Sequence, residues 1–331
     1  MKKVLTGIKA TGVHLGNWIG AIQPALDLVE DSGDLGFFFI ADYHALNAVH
    51  DAQFLSQTTA EVAATWLALG LDYNKHIFYK QSDIPEINEI ATILSAVTPK
   101  GLLNRAHAYK AMTAKNEEAG KTDLDDGVNM GLYTYPVLMT ADILAFNADM
   151  VPVGEDQSQH LEIARDIAGK FNRTFKTDTF QLPELFVRKD AKLLPGMDGR
   201  KMSASYNNHI PVFLPEKKLR KMIMKITTDS TPPEEPKSTD SNSIFELYQE
   251  FASPEQVTAL EKRYKEGIGW GEAKQELFEV MNAKLSGPRE TYDYYMENRS
   301  ELDVILKQGA EKARMITQAV LLDVKKAVGV L

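Results

Sequence analysis

The stretch Val4-Leu5-Thr6-Gly7-Ile8-Lys9-Ala10-Thr11-Gly12-Val13-His14-Leu15-Gly16-Asn17 decides the architecture. Val4 to Ile8 is an apolar, β-branched run of strand length, and helical periodicity holds from Leu15 to Glu30. Thr11 to Asn17 is therefore a strand-to-helix turn. A doubly wound sheet places phosphates at such turns, beside free N–H groups and the positive end of the helix dipole. Gly16 omits a side chain where a flat base can approach the backbone. His14 and Asn17 stand three apart, project to one side of a helical turn, and both can donate hydrogen bonds to phosphate oxygens. The spacing is neither that of a Walker loop nor that of a dinucleotide fingerprint. Taken alone, the segment reads equally well as a capped helix start with an incidental histidine.

The first half keeps alternating short strand-like runs with helical periods, the pattern of an α/β fold with a parallel sheet. Gly36–Ala41 and His76–Lys80 read as strands. A helix passes through Ala60–Leu69, and another covers Pro85–Ala96. Residues 114–127 are polar and Gly-flanked, which predicts a mobile surface loop. Helical character resumes over Val128–Asn147, a strand follows at Asp149–Val153, and Gly154-Glu155-Asp156-Gln157 opens a helix to Phe171. After about residue 210 the strand signals fade. Residues 227–242 read as a flexible connection, and the remainder is helical in pattern without an internal repeat.

A chain of 331 residues suggests about two domains, and 44% hydrophobic with 25% charged residues is ordinary for a globular protein with a substantial core. The apolar stretch Gly36–Ala41 is far shorter than the roughly 20 residues that cross a bilayer. Met1-Lys2-Lys3 precedes neither a long apolar run nor a cleavage signature, so no secretion and no membrane association are expected. With no cysteine, disulfides, thiolate metal sites and a cysteine nucleophile are excluded, and the expectation is a cytoplasmic protein without a protein-held metal. A net charge of −9 argues mildly against nucleic acid unless positive charge is concentrated locally. Lys217, Lys218, Arg220, Lys221 and Lys225, opposed only by Glu216, form one such cluster. On composition alone it reads sooner as a solvated helix face.

Two further segments carry chemistry. Pro195-Gly196-Met197-Asp198-Gly199-Arg200-Lys201-Met202-Ser203-Ala204-Ser205 is a glycine-bearing loop with adjacent cations, suited to delivering charge to a triphosphate as pyrophosphate leaves. The helix around Pro136–Phe146 is apolar apart from Thr140 and Asp142, and Tyr135, Met139 and Asp142 share one face. A carboxylate there needs a donor. An indole N–H would serve, as would an arginine or a neighbouring cap. The groups at Gly154–Gln157 can hold an ammonium or ribose hydroxyls, while His160 and Arg165 read as structural.

Thr11–Asn17, with Gly20-Ala21 after it, resembles the HIGH signature of class I aminoacyl-tRNA synthetases in its tryptophanyl and tyrosyl form, and Lys201–Ser205 resembles their KMSKS loop. The run Ala141-Asp142-Ile143-Leu144 followed by Val151–Gln157 closely resembles the tryptophanyl branch. The resemblance covers essentially the full length. It implies a Rossmann-type catalytic domain over 1–210 with a helical insertion, and a helical anticodon-binding domain over 211–331 whose last helix can pack back on the first. It implies activation of L-tryptophan by ATP, with Mg2+ on the phosphates, transfer to tRNA(Trp), and a homodimer. His14, Asn17, Lys201 and Ser203 would be catalytic. Lys9, Ala10, Thr11, Gly16 and Asn17 would lie along ATP, Gly154, Glu155 and Asp156 by its ribose, Leu193 near adenine, and Lys201, Met202, Ser203, Ala204 and Ser205 over the phosphates. Asp142 would take the indole N–H, Met139 pack on the ring, Tyr135 and Gln157 meet the ammonium, and His44 line the pocket. This sequence departs from the family at two positions: Ala204 stands where a lysine is usual, and Lys9 where glutamine is frequent. The loop would be weaker unless Lys9, Lys192 or Arg200 compensates. The alternatives are a tyrosyl enzyme, a small-molecule adenylyltransferase and a non-catalytic paralogue.

Overall fold

The strand-like runs fold as five parallel strands among the residues that this computed structural model describes, 1–154, 158–187 and 193–331. β1 is Lys3–Lys9, β2 Leu35–Ala41, β3 Ile77–Lys80, β4 Met150–Val153 and β5 Glu184–Val187. Their spatial order is β3-β2-β1-β4-β5, and each neighbouring pair is parallel. This is a doubly wound, Rossmann-type α/β sheet. The order reverses between β1 and β4, where such sheets form their ligand crevice at the carboxyl ends of the strands. Pairing is thin at that point. β1 and β2 stay in register from Lys3↔Leu35 to Lys9↔Ala41, whereas β1 and β4 meet only at Val4↔Met150. The carboxyl ends of β1 and β4 are thus left apart.

The crossover after β1 consists of α1 (Leu15–Asn17), a π-turn (Trp18–Ile22) and α2 (Gln23–Ser32) in place of one continuous helix. Pro24 has no N–H for the Gly20 carbonyl, and the Gln23 N–H closes a wider turn on the Trp18 carbonyl. Helices α3 (Asp42–Ala45) and α4 (Ala52–Ala68) connect β2 to β3. A 3-10 turn, Gln81–Asp83, then leads into α5 (Pro85–Ser95), α6 (Lys100–Leu103), α7 (His107–Glu118) and α8 (Met130–Leu144), and α9 (Ser158–Phe175) follows β4. The loop expected at 114–127 is helical through Glu118. Its remainder is gathered by the buried Asn116, whose amide donates to the carbonyls of Leu124 (2.9 Å) and Asp126 (2.8 Å). Pro136 lies inside α8, so Tyr135 sits within the helix and not at its mouth.

The second half is α10 (Glu216–Ile223), α11 (Ser243–Phe251), α12 (Pro254–Glu266), α13 (Trp270–Glu297) and α14 (Arg299–Val328). The connection at 227–242 is pinned. Lys237, only 6% exposed, donates to the carbonyls of Pro232 (2.7 Å) and Glu235 (3.1 Å), and its ammonium lies 5.3 Å from the centre of the Trp270 ring. Polar composition announced a loop but not this anchor.

Alternation along the strands divides the core between the two sheet faces. Val4, Ile8, Phe38, Ile40 and Phe78 join α2, α4 and the helices of the second half. Leu5, Phe37, Phe39, Ile77 and Tyr79 face α5, α8, α9 and the distal part of α14. Helix α14 presses closely on β3: a Cβ built on Gly309 would fall 1.7 Å from the Phe78 carbonyl oxygen. Arg314 and Gln318 on α14 also donate to Glu86 at the start of α5. No helix among the described residues is long and apolar enough to cross a membrane.

The substitution Gly309→Ala forces α14 off the sheet and should cost about 1–3 kcal/mol in urea unfolding. Gly271→Ala, whose new Cβ meets nothing within 4 Å, should stay within about 0.5 kcal/mol of the parent.

Candidate active site

A cavity of about 900 Å³ opens at the crevice between β1 and β4. Residues 5–9 and 151–153 from the two strands line it, joined by Thr11, His14 and Asn17 from the first turn and by Tyr135, Met139 and Asp142 from α8. Its size is at the upper end of what small-ligand sites use.

On one wall, His14 and Asn17 cap each other. His14 holds extended backbone geometry before α1, its Nδ1 accepts the Asn17 N–H at 3.3 Å, and the Asn17 Oδ1 accepts the His14 N–H at 3.1 Å. This reciprocal pair goes beyond two side chains projecting side by side. With Nδ1 accepting, the neutral ring carries its proton on Nε2 and has one donor to offer. Burial, aided by the neighbouring His209, lowers the His14 pKa from 6.5 to about 4, so the ring is neutral at physiological pH. Gly16 is required by this arrangement, since a Cβ there would stand 3.0 Å from the His14 ring.

The second signature folds as a narrow loop. The Met202 N–H reaches the Leu194 carbonyl (2.8 Å) and the Gly196 N–H the Arg200 carbonyl (2.7 Å). Asn208, 3% exposed, organises it: its Oδ1 accepts the Ser203 N–H (2.9 Å), and its Nδ2 donates to Asp198 Oδ1 (2.7 Å) and the Lys201 carbonyl (3.1 Å). Arg200 is committed to Asp198 through Nε at 2.8 Å and stacks over Tyr206 with its guanidinium carbon 4.7 Å from the ring centre. Asn208 and then Arg200 hold the Asp198 carboxyl below its usual range. The chain beyond the loop is stitched to the first turn by Leu15 N–H to Ile210 carbonyl (2.9 Å) and Val212 N–H to Val13 carbonyl (3.1 Å).

Deep in the cavity, Asp142 is 1% exposed. Its partner is neither an arginine nor a cap. Oδ2 lies 2.8 Å from His44 Nε2, and Oδ1 accepts Gln81 Nε2 at 2.7 Å. Gln81, 0% exposed, also accepts the His44 backbone N–H at 3.4 Å, so α3, the turn after β3 and α8 meet at one carboxylate. Burial raises the Asp142 pKa, against the bonds from His44 and Gln81.

Of the residues singled out in the sequence, Lys9, Thr11, His14, Asn17, His44, Tyr135, Met139, Asp142, Gly154 and Ala204 line the cavity. Ala10 is buried in the core, with its carbonyl accepting from Thr58, and Leu193 is 66% exposed and away from the lining. Met202 is buried beside Gly16, while Lys201 and Ser203 lie on the loop outside the lining. Glu155, Asp156, Gln157 and Lys192 lie outside the described residues, as does the Ser205 side chain. The Tyr135 hydroxyl bonds His160 Nε2, and His160, read as structural, lines the cavity too. Arg165 donates to the Pro183 carbonyl. Gln81 and Asn208 were missed. Each stands beside a legible feature, the carboxyl end of β3 and the loop, but its partners are fixed only by folding. Among the described residues, no three His, Cys, Asp or Glu side chains converge on a metal position.

A family model described as "tRNA synthetases class I (W and Y)" matches residues 1–286. The tryptophan–tRNA ligase of Neisseria meningitidis serogroup A is 49% identical over 330 residues, covering 99% of this chain and 98% of its own. That of Pseudomonas aeruginosa is 50% identical over 330 residues, covering 99% and 73%. The crystal structure of Campylobacter jejuni tryptophanyl-tRNA synthetase complexed with ADP and tryptophan superposes with a TM-score of 0.89 at 42% identity, covering 99% of both chains.

Because the folded state resists protonating His14, the unfolded chain binds more protons between pH 6.5 and about 4, and stability should fall with pH across that window. Urea titrations at stepped pH should show a shallower acid loss for His14→Asn than for the parent.

Proposed function

Because this chain belongs to the class I tRNA synthetases of the tryptophan and tyrosine branch, we propose that the cavity at the β1–β4 crevice is its active site, with a division of labour among its walls. The chain activates L-tryptophan with ATP to tryptophanyl-adenylate and transfers the aminoacyl group to tRNA(Trp). The observation that carries the amino-acid choice is the buried Asp142 carboxylate, which opens on the cavity and is held by two donors. Each carboxylate oxygen keeps a lone pair beyond the bond it already accepts, and an indole offers one N–H and no acceptor. Met139, one turn away on α8, packs on the ring. His44 holds Asp142, and Tyr135 with Gln157 receives the ammonium.

ATP lies along Lys9, Thr11, Gly16 and Asn17, with its ribose by Gly154, Glu155 and Asp156. A tryptophan carboxylate oxygen attacks the α-phosphorus, the bond to the bridging oxygen breaks, and pyrophosphate leaves. No side chain acts as nucleophile; catalysis is positioning and charge stabilisation. The neutral His14 donates from Nε2, Asn17 from its amide, and Lys201–Ser205 closes on the departing phosphates. Mg2+ carried in with the nucleotide would supply further counter-charge to the phosphates. Residues 1–210 form the activating domain and 211–331 the anticodon-reading domain, with α14 packed back against β3. The enzyme acts in the cytoplasm as a homodimer. The exposed cations Lys217, Lys218, Arg220, Lys221 and Lys225, on and just after α10, contact tRNA phosphates.

Pyrophosphate exchange should proceed with tryptophan and not with tyrosine; exchange with neither amino acid would refute the activity. Gln81→Leu unpairs a buried carboxylate oxygen and should raise the tryptophan KM by roughly 10- to 100-fold, equivalent to ~1–3 kcal/mol. The double charge reversal Lys217→Glu/Lys221→Glu should leave exchange intact, raise the tRNA KM, and reduce the salt dependence of tRNA binding by about two phosphate contacts.

A further inference from the structure

Lys9 ends β1 at the mouth of the crevice, in register with Ala41, and the Thr11 N–H turns the chain back onto its carbonyl at 2.8 Å. Among the described residues that line the cavity it is the single lysine or arginine. Ala204 lines the same cavity and brings no charge. Arg200 is spent on Asp198 and Tyr206. Among the described residues, a triphosphate entering here meets Lys9 as its cation within the lining, and Lys201 lies on the loop outside it.

Resting on the activity assigned above, we propose that Lys9 is a catalytic residue of the activation step, which binds the leaving phosphates and supplies the charge that the side chain at position 204 does not. Its side chain is exposed at the cavity wall and has no ion-pair partner among the described residues. An incoming anion therefore meets a cation that no carboxylate competes for. As the tryptophan carboxylate oxygen bonds to the α-phosphorus, the α–β bridging P–O bond breaks and its electron pair stays on pyrophosphate. Lys9 donates hydrogen bonds to those oxygens and keeps its proton throughout. The residue acts on charge that develops in the transition state, so its loss falls on kcat as well as on the ATP KM.

The test is pyrophosphate exchange by the full chain, with tryptophan binding measured separately by calorimetry, for the parent, Lys9→Gln, Lys9→Gln/Ala204→Lys and Lys9→Arg. Lys9→Gln should lower kcat/KM for ATP by roughly 10²–10³-fold with tryptophan affinity unchanged. Adding Ala204→Lys should recover at least about tenfold of that loss, and Lys9→Arg should retain most of the activity. A Lys9→Gln enzyme within a few-fold of the parent would overturn the assignment. So would a loss that Ala204→Lys does not relieve, or one accompanied by lost tryptophan binding. Absence of exchange in the parent would refute the activity itself, and the role with it.

Discussion

The carboxylate of Asp142 sits almost wholly out of water, and the positions of three separate segments depend on how that charge is kept. An ionised group in such a place is costly unless donors surround it. His44 from α3 and Gln81 from the turn after β3 supply them at 2.8 and 2.7 Å, and Gln81 is fixed in turn by the His44 backbone. A second clamp reinforces the first: the Ser82 backbone N–H and hydroxyl both donate to Asp42 at the start of α3. Just beyond the turn, Glu86 is bound by Arg314 and Gln318 of α14. The C-terminal helix thereby buttresses, through β3 and α5, the turn that orients Asp142.

The cavity separates two kinds of recognition. Its depth offers a fixed acceptor in an apolar setting, where a hydrogen bond discriminates strongly between ligands that can make it and those that cannot. Its mouth offers donors: a neutral His14 tautomer held by Asn17, the backbone N–H groups of the first turn, and lysine. The narrow loop around Lys201 is shaped by Asn208 and anchored to the first turn through residues 210–212. The two signatures, almost two hundred positions apart in the chain, are thus one mechanical unit.

How much of this was legible in the sequence follows from the range of each interaction. The turn from β1 to α1 is local, so its Gly, His and Asn could be read directly as the start of a helix. Asp142 stood out because a carboxylate on an apolar helix needs an explanation that neighbouring positions do not give. Gln81 carried no such signal, since a glutamine after a strand is ordinary until folding brings it to a carboxylate 61 positions away. Asn208 is similar, for its significance lies in three groups of the preceding loop. Local departures were hidden for a different reason. The π-turn depends on a missing N–H at Pro24, and the loops at 114–127 and 227–242 are ordered by one buried side chain each, Asn116 and Lys237. Composition registers their polarity and not their partners.

The central assignment is Asp142 as the acceptor of the substrate's indole N–H. Calorimetric binding of L-tryptophan beside 1-methyl-L-tryptophan, which keeps the ring and replaces the N–H hydrogen with a methyl group, addresses it directly. The methylated ligand should bind at least about a hundredfold more weakly, because it leaves the buried carboxylate unsatisfied and crowds it. Binding within a few-fold of tryptophan would contradict the assignment.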